Sequence, residues 1–277
     1  MSIEAVAARP AGALAGFVQR YLGYRLDGPP GVHRGLPSRQ LTFIVSLAEP
    51  VEMLSLPDPN QAPAAMQAFV GGLHTHAARI RDPGHQHGIA VELTPLAARA
   101  VLGMPASELT SKVVDLEEVL GVPGRQLTER LGNAPDWRSR FATLDDALTR
   151  GLREEAGLVP EVRRAWDWIV GRVGTEPDVD RLARHVGWSR RHLTARFHRE
   201  VGLPPRQLSR VLRFERSCQF LRSGAAGTYA DLAARAGYYD QAHMTHEWHR
   251  LAGCTPSEWA REELPSVQDT LEAGAGY

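Results

Sequence analysis

The feature that most constrains this chain is an internal repeat near its C-terminal end. Leu182-Ala183-Arg184-His185-Val186-Gly187-Trp188-Ser189 returns as Leu232-Ala233-Ala234-Arg235-Ala236-Gly237-Tyr238-Tyr239-Asp240, with leucine, alanine, glycine and the aromatic 50 positions apart. After one extra residue in the second copy, Leu193, Phe197, Arg199, Gly202 and Pro205 meet Met244, Trp248, Arg250, Gly253 and Pro256, now 51 positions apart. Each copy reads as helix, tight turn, helix. Asp178 and Thr228 cap the first helix of each pair, Gly187 and Gly237 end it in the left-handed conformation, and Ser189 and Asp240 cap the second.

In the second helices, Leu193, Phe197 and Val201 fall at i, i+4 and i+8, as Met244 and Trp248 fall at i and i+4, so the opposite face is polar. On the first unit that face carries Arg190, Arg191, Thr194 and Arg196. On the second it carries Gln241, His243, His246 and Glu247. Arginine and glutamine are the side chains that bond bidentately to guanine and adenine edges in the major groove. One solvated basic face is ordinary; two matched copies with both glycines and both caps point to double-stranded DNA. Between the units, Pro205 to Arg222 reads as one continuous helix with Leu208, Val211, Leu212, Cys218 and Leu221 on its apolar side. At 1.5 Å per residue it spans roughly 27 Å, a rigid spacer for two recognition helices that must lie about 34 Å apart to enter successive turns of one DNA face.

Charge supports this placement. The chain is formally neutral, yet residues 160–264 hold 17 arginines against 13 acids, a balance of +4, and the remainder is at −4. Arginine supplies 31 of the 32 basic residues, Lys112 being the one lysine, so phosphate clamping falls to arginines. A nonspecific architectural DNA binder would need a larger positive field.

These residues resemble the AraC/XylS family of bacterial transcription activators over about Val162 to Arg261. The most diagnostic stretch is Ala236-Gly237-Tyr238-Tyr239-Asp240-Gln241-Ala242-His243-Met244, then Trp248, then Gly253-Cys254-Thr255-Pro256-Ser257-Glu258-Trp259. The resemblance implies base contacts at Arg191, Thr194 and Ala195 in the first recognition helix and at Gln241, Ala242, His243 and His246 in the second. Ala195 and Ala242 depart from the longer polar side chains frequent in relatives, and alanine touches only a thymine methyl. Phosphate contacts are expected from Arg184, Arg190, Arg196, Arg206, Arg210 and Arg250. RNA polymerase, a small-molecule effector and a second copy of the chain in a homodimer are the further partners implied.

The expected fold class is therefore α+β: a small β-rich, cupin-like N-terminal domain with helices, then an all-α domain of two helix-turn-helix units joined by a long helix. The expected domains are 1–157 for sensing or dimerisation, 158–264 for DNA binding, with Gly157 and Pro160 at the boundary, and a flexible tail over 265–277. Leu14 to Tyr24 reads as a short amphipathic helix. Leu41 to Leu47, Val51 to Leu56, Ala68 to Val70 and Gly88 to Leu93 read as strands separated by Pro57-Asp58-Pro59 and Asp82-Pro83-Gly84. After Thr94-Pro95 the period becomes helical through Leu96 to Leu102, Ser107 to Leu120 and Pro123 to Leu131, and from Pro135 or Asp136 to Ala156, the last a candidate dimerisation helix.

Enzymatic apparatus is absent from this reading. Ser46 and Ser55 lack an elbow motif, no glycine-rich phosphate loop opens a helix, and Cys218 and Cys254 form neither a disulfide framework nor a zinc pair. No catalytic residue, metal ligand or cofactor is assigned. One alternative is kept: a cupin-type metal-dependent enzyme or sensor, in which His74 and His76 converge with His85 and His87 from two strands. No window approaches the roughly 18 apolar residues of a membrane span, and Met1 to Tyr21 has neither the basic start nor the cleavage site of a secretory leader, so the cytoplasm is the expected location.

Overall fold

Alternating and β-branched segments dominate the first 115 residues, and the computed structural model, which describes residues 2–152, 159–225 and 227–264, resolves them into strands β1 (Ser2–Ala8), β2 (Val18–Asp27), β3 (Gly31–Gly35), β4 (Leu41–Ser46), β5 (Val51–Ser55), β6 (Ala64–Met66), β7 (Ala68–Gly71), β8 (Ala78–Asp82), β9 (His85–Leu93) and β10 (Val113–Asp115). They form two antiparallel sheets, one in the order β1-β2-β9-β4-β7-β10 and one in the order β3-β8-β5-β6. Period-2 alternation places Phe43 and Val45 of β4 and Ile89, Val91 and Leu93 of β9 on one side of the larger sheet, fully buried against helices. Ile44 of β4, Phe69 of β7 and Met53 and Ile80 of the smaller sheet form a separate cluster on the other side.

Helices follow as α1 (Leu116–Leu120), α2 (Val122–Asn133), α3 (Trp137–Gly151), α4 (Pro160–Val170), α5 (Val179–Val186), α6 (Arg190–Val201), α7 (Pro205–Arg222), α8 (Tyr229–Ala236), α9 (Gln241–Ala252) and α10 (Pro256–Glu263). α3 starts where expected because the Asp136 carboxylate accepts from Ser139 N–H at 2.8 Å. It lies on the larger sheet, with Phe141 stacked on Tyr21 at 5.8 Å and Asp145 accepting from the Tyr21 hydroxyl at 2.9 Å.

Two expected helices are overturned. Leu14 to Tyr24 holds only a 3-10 turn at Gly12–Leu14 before the chain enters β2. Over so few residues Leu14, Val18, Tyr21 and Leu22 fit a helical stripe as well as a strand; pairing of Leu22 with Ala90 and Tyr24 with Gly88 across β9 decides for the strand. Ser107 to Leu120 divides into a turn at Ala106–Leu109, β10 and α1, because Val113 and Val114 add to the edge at β7. The expected end of α3 at Ala156, the boundary at Gly157 and the tail 265–277 lie outside the described residues. No helix among the described residues is long and apolar enough to cross a membrane.

One hydrophobic cluster runs from Leu14 through Phe141 to Trp259 and joins the sheet-bearing half to the helical half. Its heaviest part is in the second unit: Trp248 is fully buried, donates from Nε1 to Ser217 Oγ at 2.9 Å, and packs on Phe214 and Trp259 with ring centroids 4.8 and 5.5 Å away. Polar links cross between the halves. Arg99 Nε and Nη2 donate to Glu200 of α6 at 2.6 and 3.1 Å, and Thr110 Oγ1 donates to the Gly202 carbonyl at 2.7 Å. Arg39 Nε donates to Glu215 of α7 at 2.5 Å, and Arg34 Nη1 donates to Glu262 and Glu263 of α10 at 2.9 and 3.0 Å.

The two turn glycines differ in what surrounds them. Gly187 has φ +79° with open space around the place a Cβ would take, whereas Gly237 has φ +93° and a Cβ there would lie 2.3 Å from Gly174 Cα. Gly187→Ala is expected to cost about 1–2 kcal/mol, the usual left-handed penalty, and Gly237→Ala clearly more, measured by chemical denaturation. Equal costs would contradict the Gly174 contact.

Candidate nucleic-acid interface

Local chemistry fixes both helix pairs in the same way. Asp178 accepts from Asp180 N–H and Arg181 N–H, each at 3.0 Å, and Thr228 Oγ1 accepts from Asp231 N–H at 3.1 Å. At the turns, Trp188 N–H and Tyr238 N–H each reach back to the carbonyl five residues earlier, Ala183 and Ala233, both at 2.9 Å. Ser189 then caps α6 through His192 N–H at 3.3 Å, and Asp240 caps α9 through His243 N–H at 2.7 Å. The aromatic after each glycine meets the capped histidine edge-on: Trp188 on His192 at 4.6 Å, Tyr238 on His243 at 5.5 Å. The inserted residue Tyr239 shifts the register by one without changing this lock.

The expected base-contact residues share one exposed strip on each recognition helix. Arg191 and Ala195 are exposed on α6, and Thr194 is half-buried with its Oγ1 donating to the Arg190 carbonyl at 2.9 Å. Gln241, Ala242 and His246 are exposed on α9, and His243 is half-buried. Gln241, Ala242, Thr245, His246 and His249 line a shallow hollow along α9. Thr245 and His249 were not singled out from sequence, although the 51-residue offset that maps Thr194 onto Thr245 points to the first of them.

Among the expected phosphate contacts, Arg184 and Arg250 are exposed and Arg196 is half-buried. Arg190 lies 3.4 Å from Asp180 and Arg206 lies 3.8 Å from Glu176, both exposed pairs of the kind that contribute little to stability. Arg210 is different. Its Nε donates to Glu247 Oε1 at 2.6 Å while Arg213 Nη2 donates to Glu247 Oε2 at 3.0 Å. Glu247, placed from sequence on the exposed face of α9, is therefore a buried residue, 5% exposed. Helical position alone does not separate 246 from 247; the two arginines of α7 do.

Burial alone would raise the Glu247 carboxyl, but hydrogen bonds from Arg210 and Arg213 outweigh it and hold the group below the usual carboxylate range. A lowered folded-state value stabilises above that range and is lost as pH falls through it.

A second feature lies away from the helix faces. A cavity of about 1620 Å³ between the two sheets and the helical half is lined by His33, Ile44, Phe69 and Ile80 on one side and Phe220 and Trp259 on the other. Burial pushes the His33 imidazole down to about 4, against the opposing pull of Asp82, so it is neutral at pH 7. The histidines expected to converge do not. His74 and His76 lie in the loop after β7, with His74 Nδ1 2.6 Å from the His76 carbonyl, while His85 pairs with Asp27 at 2.6 Å and His87 meets Trp137 edge-on. No group of three or more His, Cys, Asp or Glu among the described residues is arranged to hold a metal ion. Both cysteines are buried, and neither is in a disulfide.

Comparison with known proteins gives two family matches: a helix-turn-helix domain over residues 182–262, and a domain of unknown function, DUF6597, over residues 7–115. No curated protein matches. Among solved structures, ToxT from Vibrio cholerae is 9% identical with TM-score 0.50, covering 95% of this chain and 99% of its own. ToxT from Vibrio cholerae O395 bound to (E)-4-(8-methylnaphthalen-1-yl)but-3-enoic acid is 6% identical with TM-score 0.51, covering 95% and 99%. A transcriptional regulator with an AraC-type DNA-binding domain from Chromobacterium violaceum is 23% identical with TM-score 0.34, covering 39% of this chain and 96% of its own. At these identities the ToxT likeness speaks for the fold: a β-rich N-terminal half followed by the helical pair of units.

Glu247→Gln is expected to lower stability by about 3 kcal/mol near neutral pH by leaving two arginines with one charge partner fewer, and to flatten the loss of stability on acidification. Denaturation at neutral and acidic pH checks both; a cost under about 1 kcal/mol would contradict the buried network.

Proposed function

We propose that this chain is a DNA-binding regulator of the AraC type, in which α6 and α9 enter successive major-groove turns on one face of a duplex. The observation that supports this most is the matched pair of capped, glycine-closed units on either side of the single 18-residue helix α7, each leaving one strip of its recognition helix exposed. Arg191, Thr194 and Ala195 read one half-site; Gln241, Ala242, His243 and His246 read the other. Arg184, Arg190, Arg196, Arg206 and Arg250 contact phosphates, while Arg210 is committed to Glu247 and would have to leave it to do the same. The domain limits 1–157 and 158–264 divide these roles.

The cavity facing Phe220 and Trp259 is the place for a small-molecule effector, since a ligand there would touch both the sheets and the helical half. The acid-bearing ligand of the ToxT complex makes an amphiphilic organic molecule the first class to screen. Recruitment of RNA polymerase and homodimer formation complete the proposal.

Selection of duplexes from a random pool by the full chain should return a bipartite preferred site. Arg191→Ala and Gln241→Ala should then each cost about 1–3 kcal/mol and relax preference at one position within different half-sites. No preference over random duplex, or both variants relaxing the same position, would overturn the reading.

A further inference from the structure

The two helix-turn-helix units differ in charge. Residues 178–201 hold six arginines against three acids, whereas residues 228–252 hold two arginines against three acids. Of those two, Arg235 donates to the Ala225 carbonyl and lies over the Phe220 ring, 4.3 Å from its centroid. Arg250, exposed in the last turn of α9, is the one arginine of this unit left for a phosphate. With Glu247 buried and paired to Arg210 and Arg213, the remaining charges of this unit balance, so cations hold it on the phosphate backbone less than they hold the first unit and neutral donors contribute more.

This unit presents such donors. Tyr239 is 92% exposed and Tyr229 is 36% exposed. A single exposed aromatic needs no explanation, but both of these are departures from the repeat. Tyr239 is the one residue inserted in the second copy, and Tyr229 stands where the first copy has Val179, which is buried. They occupy the N-terminal ends of the unit's two helices: Tyr229 is the first residue of α8, and Tyr239 immediately precedes Asp240, the cap of α9. In a docked helix-turn-helix the first helix crosses the sugar-phosphate backbone and the N-terminal end of the second enters the groove, so both ends lie close to phosphates. The Tyr239 main chain is held in place, its N–H directed at His243 Nδ1 at 3.4 Å, while its side chain is free in solvent.

We propose that Tyr229 and Tyr239 are phosphate-contact residues, each donating its phenolic O–H to a phosphate oxygen at the second half-site. The second unit is then docked mainly by neutral hydrogen bonds, with Arg250 its one cation, and the first by arginines, so the salt dependence of binding arises mainly in the first. The proposal rests on the DNA-binding reading above.

The test measures affinity of the full chain for its selected duplex by fluorescence anisotropy over a range of salt concentrations. Tyr229→Phe and Tyr239→Phe keep the ring and should each weaken binding about tenfold, with the slope of log affinity against log salt unchanged because no cation is removed. Arg190→Ala should lower that slope by about 0.9. On a duplex whose second half-site phosphates are replaced by neutral methylphosphonates, Tyr239→Phe should bind as the unsubstituted chain does. Affinity of both phenylalanine variants within twofold of the unsubstituted chain would overturn the proposal, as would an equal loss on the methylphosphonate duplex. An unsubstituted chain with no preferred duplex would instead overturn the DNA-binding reading on which it stands.

Discussion

The buried carboxylate of Glu247, held between Arg210 and Arg213 of α7, is the interaction on which the placement of the second recognition helix depends. Taking Glu247 and Arg213 out of water beside the half-buried Arg210 costs several kcal/mol per buried ion and is recovered only when the geometry is good. Rotating or sliding α9 breaks both hydrogen bonds at once and leaves charges buried, so α9 has one well-defined pose on α7. Trp248, the next residue, makes that pose steeper by filling the space between Phe214 and Trp259. An apolar contact alone would tolerate a small slip; an ion pair with fixed directions does not.

The first recognition helix is tied elsewhere. Glu200 takes two hydrogen bonds from Arg99, and the carbonyl of Gly202, just past the end of α6, accepts from Thr110. Both partners belong to the sheet-bearing half. That half also reaches α7 through Arg39 and α10 through Arg34. The spacing between the two exposed strips is therefore set jointly by a rigid helix and by contacts from the N-terminal half, which surrounds the cavity lined by His33, Phe220 and Trp259. On the proposed effector reading, a molecule entering that cavity, whose lining includes Arg34, Arg39, Glu215 and Glu263, would act on the ties to α7 and α10, a physical route from ligand to DNA binding.

The helical half was legible in the sequence because its signals are local. Asp178, Ser189, Thr228 and Asp240 each cap the helix that follows within three residues, and Gly187 and Gly237 sit at left-handed turns. Pro205 to Arg222 runs as one helix from a proline start, as its pattern indicates. The sheets were half legible. β4, β5, β7 and β9 alternate clearly, but the apolar spacing of β2 fits both periods and its partners in β9 lie 58 to 75 positions away in sequence. Short edge strands such as β6 and β10 owe their conformation to a neighbour and not to their own composition. Glu247 was misplaced for a related reason: the arginines that bury it lie 34 and 37 positions earlier.

The central claim, two recognition helices acting together on one face of DNA, is tested most directly by hydroxyl-radical footprinting of the full chain on a selected duplex. The account predicts two protected patches on the same face, centred about 10 base pairs apart, the repeat of one helical turn. A single patch, or two patches on opposite faces, would contradict it.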